Sequence, residues 1–339
     1  MIITQLNLRI LMFLFAGLWA VQGWSQSNNA TFNDVSAYAQ ACSQYMAPVP
    51  SFSCLDDSAV VPITVNGKEP REYVAGMTCD KPALLPYAED GKPSDGQCIP
   101  YSRMRKIELN DEFKTQISIG CRQKKIRSKE SVYFDEVDVI AHSVVNGQTC
   151  WFQAKAKEGS EGIDGRKVPS PSLRTEQQGY PQAATFWHTP QEIVDSGEQC
   201  TNCHDNDPFM YSPWVGQVWD HVPTDPIGFY ANDVGPFSKG VNWTALNTAG
   251  NTCTGCHRIG SEFSCGQGLL EATGRSISKY ADAKAQKFPL SHWMPPGEGH
   301  SFAQWQVIYQ KSADDLYACC QDPSLAQCIK TPITANPMQ

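Results

Sequence analysis

Fourteen cysteines, all of them beyond residue 41, limit what this chain can fold into more than any other feature. Such a load belongs where thiols are oxidised and is out of place in a reducing cytosol. Four of the fourteen form a pattern of their own. The stretch "EQCTNCHDNDPF" sets Cys200 and Cys203 two residues apart in the chain with His204 directly after them, and "GNTCTGCHRIG" repeats the arrangement 53 residues later with Cys253, Cys256 and His257. The other ten cysteines are an even number, enough for five disulfides.

The N-terminus agrees with an oxidising destination. Arg9 precedes an apolar run from Ile10 to Val21, and the small residues Gly23 and Ser25 follow. That run is too short to cross a bilayer core of ~30 Å as a helix, so residues 1–25 read as a cleaved signal peptide. No later segment is apolar for long enough to be a transmembrane helix. The expected mature chain is therefore soluble, and periplasmic or extracellular. Removing residues 1–25 takes away only Arg9, which leaves 26 basic against 35 acidic residues, a net charge of −9. An acidic surface repels polyphosphate, so nucleic acid is excluded as a partner and a basic partner protein suits it.

At 339 residues the chain has room for two domains. From residue 26 to residue 179 it is broken up by prolines, glycines and cysteines, and its best periodic segment is "VYFDEVDVIAHSVVNGQTCWFQAKA". Val137, Val139 and Ala141 alternate there at period two, and Asn146-Gly147 signals a tight hairpin turn. "KTQISIGC" reads as another strand. The expectation is an α+β chain. Its β-rich N-terminal domain is stapled by Cys42, Cys54, Cys79, Cys98, Cys121 and Cys150, with a bond between Cys121 and Cys150 preferred because it links neighbouring strands. A mainly α or irregular domain covers residues 180–339, after the polar linker that ends near Gly179. Six of the seven histidines, all but His142, lie in that second part, as do eight aromatics between the two cysteine motifs. It should carry the function.

C-x-x-C-H is the spacing of covalent haem attachment: two thiols add to the two vinyl groups of the porphyrin and the adjacent histidine reaches the iron. The competing explanations are a redox dithiol and a zinc site. Zinc ribbons place their cysteine pairs about 15 to 20 residues apart, far closer than here. Two copies in an exported chain favour haem.

On Cys200, Cys203 and His204, and on Cys253, Cys256 and His257, the chain resembles the c-type cytochromes, specifically a dihaem one. The likeness covers the C-terminal half only. It implies two covalently attached haem c groups, export by a bacterium, and electron transfer between redox partner proteins through iron cycling between two oxidation states. Around "PLSHWMPPGEGH" the chain is similar to the methionine loop of small cytochromes c, which makes Met294, 37 residues after His257, the candidate sixth ligand of the second haem. His292 is its rival, since in an extended segment the two side chains leave on the same face. For the first haem His221, 17 residues after His204, is the leading candidate, with His188 and His292 behind it; Met210 would need an almost fully extended path. Tandem small cytochromes need a whole domain per haem, and 53 residues are too few for that, so the two haems should share one core.

Other features read as structural. Arg258 suits either a haem propionate or solvent. One of Cys319 and Cys320 should bond Cys328 and the other Cys265, closing the C-terminal segment onto the core. The function expected is electron carriage. The alternative is a haem enzyme, peroxidase-like or acting on sulfur compounds, in which one haem has an open coordination position and the other feeds it electrons.

Overall fold

The computed structural model describes residues 32–74, 77, 79, 98–175, 177–197, 199–202, 204–209, 214–223, 228–237, 244–261, 264–265, 269 and 302–333. The signal-peptide reading of residues 1–25 lies outside them.

The alternation of Val137, Val139 and Ala141 produces a strand, β5 (Glu136–Ser143), in which all three are buried. It forms a hairpin with β6 (Gln148–Lys155), and Gly147 closes the intervening loop at φ +72°. On its other side β5 pairs antiparallel with β3 (Thr115–Arg122), the strand expected from "KTQISIGC". Antiparallel pairing continues through β2 (Arg103–Glu108) to β1 (Ala59–Val60). Two further short strands, β4 (Tyr133–Phe134) and β7 (Ile163–Asp164), pair with each other outside this sheet. Beyond β6 the sheet gains a parallel edge strand, β8 (Asn232–Asp233), so its order is β1-β2-β3-β5-β6-β8. The chain is thus α+β and disulfide-rich. Its sheet does not stop at residue 179, because β8 and the core residues Trp187, Ile193, Tyr230 and Phe237 come from later in the chain.

Period two gives the sheet two distinct faces. Ile117, Ile119, Val137, Val139, Ala141, Cys150, Phe152 and Ala154 share one of them by register. The helix α1 (Val35–Cys42) packs there, with the Asp34 carboxylate accepting the Ser36 amide at its N-terminus and the Tyr38 ring 5.2 Å from that of Phe152. Two disulfides fasten this layer, Cys42–Cys150 and Cys54–Cys121. They close loops of 108 and 67 residues. On the loop-entropy account each contributes about 4 to 5 kcal/mol.

The expected Cys121–Cys150 bond does not form. Cys121 lies on β3 and Cys150 on β6, with β5 between them. Two strand spacings are about 9 to 10 Å, beyond the reach of one disulfide. A third disulfide joins Cys79 to Cys98.

The opposite face carries Asp138, Ile140, His142, Thr149, Trp151 and Gln153 by the same register. Segments from the second part of the chain cover it. Among them are those bearing the Phe209 and Tyr230 rings, which meet His142, and a 3-10 helix, η2 (Val215–His221), which packs on Met104. The short helices α2 (Ala183–Phe186) and α3 (Pro190–Asp195) belong to the other layer, where α2 meets α1 and the Trp187 ring lies 6.2 Å from that of Phe152; the 3-10 turn η1 (Cys200–Asn202) follows them in the chain. Further on, β9 (Thr244–Thr248) pairs antiparallel with β10 (Cys328–Pro332), and the long helix α4 (Phe302–Gln321), which begins in "SFAQWQVIYQ", packs on β9. Cys319–Cys328 and Cys265–Cys320 bind this unit together, one of the two pairings the sequence left open. Among the described residues no helix is long and apolar enough to cross a membrane.

Candidate functional site

In both C-x-x-C-H segments the histidine amide closes a turn on the carbonyl of the first cysteine. In the first, the His204 amide donates to the Cys200 carbonyl at 2.9 Å, over the 3-10 turn Cys200–Asn202. In the second, the His257 amide donates to the Cys253 carbonyl, also at 2.9 Å, and the Cys256 amide donates to the same oxygen at 3.2 Å. A turn of this kind brings the first thiol and the histidine of each motif to adjacent positions one turn apart.

The first motif is aimed by what precedes it. Thr189 and Glu192 form a capping box at the start of α3, Gly197 takes φ +80° just after the helix, and the chain then enters the Cys200 turn. Thr201, buried, donates to the Phe237 carbonyl at 3.0 Å and holds the turn against the sheet edge. As a result the His204 ring lies 4.8 Å from that of Trp151 on β6. Behind them sits a buried carboxylate. Asp233 Oδ1 accepts from Trp151 Nε1 at 2.7 Å and from the Tyr230 hydroxyl at 2.9 Å, and that hydroxyl is also 3.4 Å from the His204 carbonyl. Asp233 Oδ2 and His204 Nδ1 are buried and meet no hydrogen-bond partner among the described residues.

Burial sets the protonation of this cluster, because it penalises the charged form of each group. It pushes the Asp233 carboxyl up to about 7, against the bonds from Trp151 and Tyr230. It holds the His204 imidazole down at about 4. His142 is held at about 3 for the same reason; its Nδ1 is 2.9 Å from Thr149 Oγ1 and its ring meets Phe209 and Tyr230 edge-on.

The second motif is seated on α4. Asn251 takes the Cys253 amide on Oδ1 at 3.0 Å and donates to the Ser312 carbonyl at 2.9 Å, while the Thr252 amide donates to Ser312 Oγ at 3.0 Å. Cys253 is buried with Leu269, Trp305, Ala313 and Leu316, and burial raises its thiol pKa; Cys256 is exposed. Both are free thiols, whereas all ten cysteines outside the motifs are in disulfides. Burial also lowers His257 and raises Tyr309, which feels the two thiols as well.

The two motif segments touch. Arg258 Nη1 donates to the Asn206 carbonyl at 3.0 Å, Arg258 Nη2 donates to the Gly228 carbonyl, and Asn206 Nδ2 donates back to the Arg258 carbonyl. The Arg258 guanidinium is therefore committed to backbone oxygens rather than left to solvent.

His221 is not brought to His204. It ends η2 at the β1–β2 end of the sheet, where Trp214, Val218 and Val222 pack on Val61, Ile63 and Met104, and its Nδ1 is 2.9 Å from Asp220 Oδ1. His188 lies beside β6, its amide donating to the Gln153 carbonyl and its ring 3.7 Å from the Glu192 carboxylate. Cys203, Met210, His292 and Met294 lie outside the described residues. Tyr230 was among the eight aromatics noted between the motifs, but Trp151, Asp233 and the polar run Asp205–Asp207 were not singled out from the sequence. The run of three buried polar residues directly after the motif histidine was the one available signal.

No protein-family model, no curated protein and no solved structure matches this chain. Among the described residues no group of three or more His, Cys, Asp or Glu converges as a metal site. A porphyrin brings four nitrogens of its own and asks one histidine per motif of the chain.

Proposed function

We propose that this chain is an exported dihaem c-type cytochrome that carries electrons between redox partner proteins. The observation that carries the reading is that in both C-x-x-C-H segments the histidine amide bonds back to the carbonyl of the first cysteine, in a chain whose other ten cysteines are all consumed by disulfides. A redox dithiol would need only one such segment and no histidine after it. When bound, each haem supplies an iron that accepts and returns one electron.

The residues present fit that group. Cys200 with Cys203, and Cys253 with Cys256, would hold the two porphyrins through thioether bonds, and His204 and His257 would bind the irons. Metal binding needs a neutral imidazole, and burial keeps both histidines neutral at physiological pH. Trp151 excludes water from one side of the His204 ring and fixes its orientation. Met294 or His292 is proposed as the sixth ligand at the second motif, and His188 or His292 at the first. The net charge of −8 for the whole chain suits a basic partner.

The competing function, a haem enzyme with an open iron, differs in how it meets small ligands. In the holoprotein, carbon monoxide and cyanide should bind slowly or not at all. Rapid, stoichiometric binding at one haem would overturn carriage in favour of catalysis.

A further inference from the structure

Resting on the dihaem reading, we infer that Asp205, Asn206, Arg258 and Gly260 form a clamp that locks the two motif segments in one relative placement, making the two haems a coupled pair. Asn206 follows His204 by two residues and Arg258 follows His257 by one, so whatever joins them restrains the two histidines through very short lengths of chain.

The join is reciprocal. Arg258 reaches across to the Asn206 carbonyl at 3.0 Å, and the Asn206 side-chain amide reaches back to the Arg258 carbonyl. The second arm of the guanidinium takes the Gly228 carbonyl, so its planar fork spans two stretches of backbone. A lysine ammonium has no such fork. A second set of bonds runs alongside. Asp205 accepts the Ser264 amide and hydroxyl, each at 3.3 Å, and Ser264 Oγ takes the Gly260 amide at 2.6 Å. Gly260 is pressed so closely on Asp205 that a Cβ there would stand 2.6 Å from its Oδ2 and 3.0 Å from its carbonyl oxygen. Asp205, Asn206 and Ser264 are all buried, where hydrogen bonds are stronger than in water and an unmatched group is expensive. Nothing in attaching a haem requires the two segments to meet. Their meeting through bonds between side chain and backbone on both sides is what fixes one placement.

The test uses the holoprotein with both haems attached. Two haems held close in a fixed orientation couple their Soret transitions, so circular dichroism in that band should show a paired positive and negative signal in the natural protein. Asn206→Ala, Arg258→Ala and Gly260→Ala should each reduce that pair severalfold while mass spectrometry still counts two haems. Arg258→Lys, which keeps the charge but not the fork, should recover only part of it. The natural-protein spectrum decides even if Gly260→Ala fails to fold. A protein with two haems and no paired signal, or variants that keep the full signal, would overturn the clamp and leave the dihaem reading standing. Absence of haem would overturn both.

Discussion

At the scale of single residues, the buried carboxylate of Asp233 is the group whose chemistry is easiest to read from outside. Its proton is held up to about pH 7 in the fold, whereas an unfolded aspartate loses it near pH ~3.9. Between those values the folded state binds the extra proton. The stability Asp233 contributes is therefore full below about pH 4 and is lost as pH rises through about 7. Asp233→Asn keeps an oxygen for Trp151 Nε1 and the Tyr230 hydroxyl and removes the titration. Its melting temperature relative to the natural protein should rise between pH 5 and pH 8; an offset that stays constant over that range would show that Asp233 is ionised throughout. Such a residue was invisible in the sequence. Nothing near Asp233 there distinguishes it from a surface aspartate, and only the approach of β8 to β6 brings it under Trp151. The motif cysteines and histidines could be picked out because their pattern is local, contained in five consecutive positions.

At the scale of elements, the same division holds. Strands β3 and β5 were readable from alternation, and the hairpin from Asn146-Gly147, because each depends on neighbours in the chain. Gly147 turned out to serve a second, distant partner. Its carbonyl accepts the Ala231 amide at 2.7 Å, and a Cβ there would stand 2.6 Å from that nitrogen. With φ at +72° added to the clash, Gly147→Ala should cost about 1 to 3 kcal/mol in chemical denaturation and loosen the β6–β8 pairing. An equally stable variant would mean that β8 is not tied to the hairpin. The C-terminal disulfides were legible as a set, Cys319 and Cys320 with Cys265 and Cys328, but which bonds which was settled only by the fold, where Cys319 takes Cys328, nine residues away. Cys121 and Cys150 were misjoined because strand order, not sequence order, decides which strands are adjacent, and β5 stands between them. His221 lies on the β1–β2 side of the sheet for a related reason: its 17 residues of chain after His204 run into η2, which packs on β1 and β2.

At the scale of the whole molecule, the disulfides and the motifs divide the cysteines into two populations with different work. Cys54–Cys121 staples the sheet on the face away from His204, so replacing both by serine should cost about 2 to 5 kcal/mol while leaving haem spectra unchanged. A shifted haem spectrum would show that the two populations are not independent. The motif thiols, by contrast, should be spent on cofactor. Mass spectrometry of denatured protein matured in a periplasm that attaches haem tests this most directly. The account predicts the mass of the processed chain plus two haems, surviving denaturation, with each haem on a peptide containing Cys200 and Cys203 or Cys253 and Cys256. A mass equal to the bare processed chain would contradict it.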